Sequence, residues 1–93
     1  MPDHLAAIAL LQQGKWQEAH ALVQPDESSV GCWLHGIVHI LEGDLSNARY
    51  WYQRARRNWP TVVNADAELA ALRLALGARR RPGRIITSWS EHW

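Results

Sequence analysis

Cys32, His35, His39 and Glu42 stand three, four and three residues apart. On a helix turning ~100° per residue they fall within about 80° of one another, so a thiol, two imidazoles and a carboxylate line one stripe. His35, His39 and Glu42 in that arrangement have the spacing to ligate one divalent transition metal. A single helix rarely gives one ion four ligands, and the competing arrangement buries both histidines, hydrogen-bonded to Tyr52, Glu42 or backbone. No nucleophile stands with a base and an orienting group, so no enzyme is expected, nor a cofactor beyond that alternative metal.

A second group is cationic. Arg54, Arg56 and Arg57, and farther on Arg79, Arg80, Arg81 and Arg84, have the chemistry to meet phosphates. Arginine near a helix C-terminus is also favoured by the helix dipole, and the formal net charge is only +1. Nucleic acid is thus the weakest partner class.

Ninety-three residues bound the chain to one core. A hydrophobic fraction of 47% with 20% charged residues is that of a folded chain. Six Trp and two Tyr without Phe favour half-buried positions and interfaces over dry interiors. Residues 1–47 hold Lys15 against six acids, and residues 48–93 hold nine arginines against three, so the halves attract each other within one chain or between copies. Cys32 is the only cysteine; with no internal disulfide, a reducing compartment, the cytoplasm, is the expected location. The apolar stretch Leu5 to Leu11 lacks a preceding basic region and ends at Gln12, Gln13 and Gly14, so it reads as half a helix rather than a signal peptide. Nothing approaches the ~20 apolar residues of a membrane span, and a soluble protein is expected.

The elements that must position the stripe are helical. Leu5, Ile8 and Leu11 predict a first helix from Asp3 to Gln13, stopped at Gly14. Trp16, Ala19 and Val23 predict a second from Lys15 to Gln24, ended by Pro25. A turn from Pro25 closes on Ser29 as a cap. The third helix, Val30 to Glu42, carries an apolar arc of Trp33, Leu34, Ile37, Val38, Ile40 and Leu41 beside the His stripe. Gly43 ends it and Asp44 caps a fourth, Leu45 to Arg57. Pro60 breaks the chain, and Asn64 to Leu76 forms a fifth helix stopped at Gly77. The division is a helical domain over 1–78 and a basic, Trp-containing tail over 79–93, whose Ile85, Ile86, Trp89 and Trp93 are too apolar for a solvated linker.

The segments Gly14-Lys-Trp-Gln-Glu-Ala19 and Gly43-Asp-Leu-Ser-Asn-Ala48 share one design, and their glycines lie 29 residues apart. This junction resembles that of the tetratricopeptide repeat, most closely in the second unit, where Gly36, Gly43, Ala48, Tyr52, Ala55 and Pro60 occupy the signature spacing. The resemblance covers about residues 4 to 60. It implies an all-α, right-handed α-α superhelix of about five helices, two hairpins plus a capping helix, with a C-terminal tail. The narrower run His35-x-x-x-His39-x-x-Glu42-Gly-Asp-x-x-Asn47-Ala-x-Tyr50-Trp-Tyr52 resembles a pattern of short, uncharacterised proteins and implies no activity.

The repeat register sets His35 and His39 against the fourth helix and turns Trp33, Ile37, Ile40 and Leu41 toward the concave side, where such repeats hold peptides. With Tyr50 and Trp51 at its edge, that groove is the expected partner-binding surface. It is filled by the chain's own helices or tail, or else by a protein, a peptide or a second copy. The leading expectation is accordingly a protein-interaction module, with a metal or small-ligand site at His35, His39 and Glu42 as the alternative.

Overall fold

A computed structural model describes residues 3–80. Among these residues five helices follow in order: α1 (His4–Gln12), α2 (Trp16–Val23), α3 (Ser29–Glu42), α4 (Leu45–Arg54) and α5 (Ala65–Arg80). Among the described residues there is no strand. Among the described residues no helix is long and apolar enough to cross a membrane.

Side chains start most of these helices. The Asp3 carboxylate accepts the Ala6 N–H at 3.0 Å, Asp44 accepts that of Asn47, and Asn64 accepts that of Ala67 at 2.9 Å. Each satisfies a donor that a helix start leaves unpaired. For α3 the cap is Ser28, one residue before the expected Ser29, with its Oγ 3.0 Å from the Gly31 nitrogen. Ser28 is held for this by its own N–H, which donates to Asp26.

The turns depend on left-handed backbone. Gly14 and Gly43 have φ of 75° and 92°, a region that costs other residues ~1–2 kcal/mol. At the end of α4 the non-glycine Arg56 takes φ 60°. The helix therefore stops at Arg54, short of the expected Arg57, and the Arg57 N–H turns back to the Tyr52 carbonyl at 3.0 Å. Gly77 has the opposite fate. It is not among the positive-φ glycines, and α5 runs through it to Arg80, because the surrounding Ala and Leu sustain a helix against a glycine cost of ~1 kcal/mol. The helix thus crosses the expected boundary at residue 78, and tail residues Arg81, Arg84, Ile85, Ile86, Trp89 and Trp93 lie outside the described residues.

The centre of the molecule is α3, in which every residue from Val30 to His39 is buried. It contacts α1, α2, α4 and α5, which explains an apolar face wider than a two-helix hairpin needs. Its closest approach is to α4. A Cβ added to Gly36 would lie 2.5 Å from Tyr52 Cδ1 and 3.3 Å from the Ala48 carbonyl oxygen, so the missing side chain sets the separation. Glu68 ties α5 to this pair: one carboxylate oxygen accepts the Tyr52 hydroxyl at 2.5 Å and the Trp33 indole N–H at 3.3 Å. Opposite, Ala7, Ile8 and Leu11 of α1 join Ala19, Val23, Leu69 and Leu72 in one continuous core.

Candidate metal centre

Three imidazoles converge on the α2–α3 side of this core. His35 and His39, one turn apart on α3, stack with ring centroids 5.0 Å apart and planes 26° from parallel. His20 reaches across from α2 and presents its edge to both, at 4.7 Å to His35 and 5.4 Å to His39. One nitrogen from each ring lies within 4.8 Å of the other two. An ion bound at ~2.0–2.1 Å from each nitrogen of a tetrahedral set needs N···N separations of about 3.4 Å. The nitrogens must close by roughly 1.4 Å at most, and rotation of the half-buried His20 side chain adjusts its own two separations.

The surroundings prepare these rings as ligands. Burial, then the neighbouring charges of His20 and His39, pushes the His35 pKa down to about 4, keeping its imidazole in the neutral form that binds metal at neutral pH. Trp51 of α4 lies flat against His35, with centroids 3.8 Å apart and planes 10° from parallel. His39 Nδ1 is 2.6 Å from a Glu42 carboxylate oxygen. That bond assigns the proton to Nδ1 and leaves Nε2 as the free electron pair, the arrangement in which a carboxylate orients a metal-binding histidine. A surface pocket of ≈ 350 Å³, lined by Trp16, Gln17, His20, His39 and Glu42, opens two of the three histidines to solvent.

Of the expected ligand set, His35 and His39 thus meet, while Glu42 stands behind His39 rather than beside His35. Glu42 also belongs to a more exposed group with His39 and Asp44. Cys32, at the far end of the stripe, is buried with its Sγ 3.9 Å from the Glu27 carbonyl oxygen and is not one of the converging ligands. The third imidazole is His20, absent from the sequence-derived set. Its sequence signal is its position beside Ala19 and three before Val23, the two residues of α2 that are buried.

The expected partner-binding residues separate. Trp33 and Ile37 are core residues, with exposures of 3% and 0%, because α1 and α5 cover the apolar arc of α3. Ile40 and Trp51 are half-buried. Only Leu41 and Tyr50 remain exposed. The part of the expected peptide-binding surface assigned to Trp33 and Ile37 is therefore covered by the chain's own helices.

No protein-family model, curated protein or solved structure matches this chain.

Proposed function

We propose that this chain binds a divalent transition metal through His20, His35 and His39, the ion bridging α2 to α3. The observation that carries this reading is the convergence of three imidazole nitrogens within 4.8 Å from two helices. The neutral state of His35 and the Glu42 contact to His39 support it. An all-imidazole set suits Zn²⁺, Ni²⁺, Co²⁺ or Cu²⁺ better than Mg²⁺ or Ca²⁺, which prefer oxygen. Three protein ligands leave one position of a tetrahedral ion for water or a small molecule from the adjacent pocket.

The scaffold in this reading is a two-hairpin, tetratricopeptide-like superhelix capped by α5. The close approach of Gly36 to Tyr52 and Ala48 supports that finer description. Metal binding takes precedence over docking of a protein in the apolar groove because Trp33 and Ile37 are already covered.

The test is thermal unfolding of metal-free protein with and without Zn²⁺ or Ni²⁺. Binding only to the native state at a ligand concentration ~100 times Kd adds ~2.7 kcal/mol, or a rise of roughly 10–20 °C for a domain of this size. His20→Gln, which leaves the α3 core intact, and His39→Ala both remove the rise. An unchanged midpoint in every metal tried, or a rise that persists in both variants, would refute the proposal.

A further inference from the structure

The outward face of α4 combines arginine and tyrosine side chains. At ~100° per residue, Arg49, Tyr50, Gln53 and Arg54 fall on one arc of about 140°, opposite buried Ala48 and Tyr52, and all four are exposed. The Arg49 guanidinium lies 5.0 Å from the centroid of Trp59, in the loop after α4. That of Arg54 lies 5.9 Å from the Tyr50 ring and 5.3 Å from that of Trp51, and it donates to the Tyr50 hydroxyl at 3.1 Å. Among the described residues, neither arginine has a carboxylate within ion-pair distance; the ion pairs there are His4–Asp26 and His39–Glu42. Between α4 and the loop sits a pocket of ≈ 400 Å³ whose lining includes Ser46, Arg49, Gln53 and Trp59.

We propose that this face docks single-stranded nucleic acid, with Arg49 and Arg54 on phosphates of one strand and exposed Tyr50, which lies between them on the arc, as a stacking platform for a base. A ring beneath a guanidinium fixes its position without neutralising its charge, so the N–H edges stay available for phosphate oxygens. Arg49 and Arg54 are five residues apart, about 7.5 Å along the helix axis and about 140° around it, so they meet phosphates more than one nucleotide apart on a strand that crosses Tyr50. An acidic polypeptide would satisfy the arginines but make no use of the exposed Tyr50 side chain between them. A strand uses both, since it alternates a charged backbone with flat bases, and stacking adds ~1–3 kcal/mol per base.

The test is fluorescence anisotropy of a short labelled oligothymidylate titrated with the full chain across a range of NaCl. Removing one arginine–phosphate interaction lowers the log–log salt slope by about 0.7 and weakens binding roughly eightfold near 50 mM salt. Arg49→Gln/Arg54→Gln is expected to lower the slope by about 1.4 and weaken binding about sixtyfold. Tyr50→Ala, at a residue 48% exposed, should weaken binding by about fivefold or more with the slope unchanged. Circular dichroism identical to wild type keeps these effects separate from unfolding. Three results would overturn the proposal: no binding at low salt; binding that survives Arg49→Gln/Arg54→Gln, including binding abolished only by neutralising Arg79, Arg80, Arg81 and Arg84; and competition by polyglutamate as strong as by unlabelled oligonucleotide, which would assign the face to an acidic polypeptide.

Discussion

Gly36→Ala adds one methyl group where α3 and α4 come closest, and its effect can be worked from the geometry. The new Cβ would stand 2.5 and 2.7 Å from Cδ1 and Cε1 of Tyr52 and 3.3 Å from the Ala48 carbonyl oxygen. Carbon atoms rest at about 3.5–4.0 Å, so the ring or the helix must move by roughly 1 Å. Tyr52 has little freedom to do so: it is 1% exposed, edge-on to Trp59 at 5.2 Å, and held by its hydroxyl to Glu68. The Ala48 contact is backbone and yields only if α4 shifts as a unit. Overpacking of this kind costs up to ~3 kcal/mol. Alanine returns about 1 kcal/mol through helix propensity, leaving a net loss of roughly 2 kcal/mol. For a domain of this length that lowers Tm by about 8–16 °C. Urea and thermal unfolding followed by circular dichroism measure it directly. Pairing the change with Tyr52→Leu, which removes the offending ring atoms, should make the double variant less destabilised than the sum of the single ones by about 1 kcal/mol or more. A Gly36→Ala protein as stable as wild type, or strict additivity in the double variant, would contradict the close-approach argument.

Stability of the metal-free protein should fall as pH drops from about 6.5 to about 4: folded His35 resists protonation down to about 4, whereas the unfolded ring titrates at its ordinary value. The stabilisation is complete above that window and gone below it, ~3 kcal/mol in all, as read by denaturant midpoints in the presence of a chelator; His35→Phe should flatten the curve. Tyr52→Phe removes the hydroxyl donor to Glu68 and should cost ~1–3 kcal/mol, with the largest loss of hydrogen-exchange protection in α5. Asp26→Ala removes the acceptor of the Ser28 N–H and the partner of His4 at 2.7 Å, so a loss of ~1–2 kcal/mol in urea unfolding is expected. Burial raises the Asp26 pKa, but the Ser28 hydrogen bonds and His4 outweigh it and hold it below its usual value. Its contribution is therefore present at neutral pH and lost as the medium becomes strongly acidic.

What the sequence makes legible is local. Gly14 and Gly43 mark turns because only left-handed backbone reverses the chain there, and both have that conformation. Leu5, Ile8 and Leu11 announce α1 through their spacing, although Leu5 itself is 51% exposed. Periodicity also places His35 and His39 one turn apart. It does not bring in His20, because that meeting depends on how α2 lies against α3, a tertiary relation without a sequence period. The end of α4 is misread for a similar reason: Arg56 takes a conformation usual for glycine, held by the Arg57-to-Tyr52 backbone bond rather than by its residue type. Trp33 and Ile37 belong to an apolar arc that reads equally as core or as groove, and only the placement of α1 and α5 over it decides for core.

The most direct measurement of the metal reading is X-ray absorption at the metal edge of the Zn²⁺-loaded protein, taken alongside His20→Gln. A first shell of nitrogen or oxygen at ~2.0–2.1 Å, with outer-shell scattering from three imidazole rings in the wild type and two in the variant, is the predicted result. A hexa-aqua-like spectrum without imidazole scattering, or one that keeps all three rings when His20 is replaced, would contradict it.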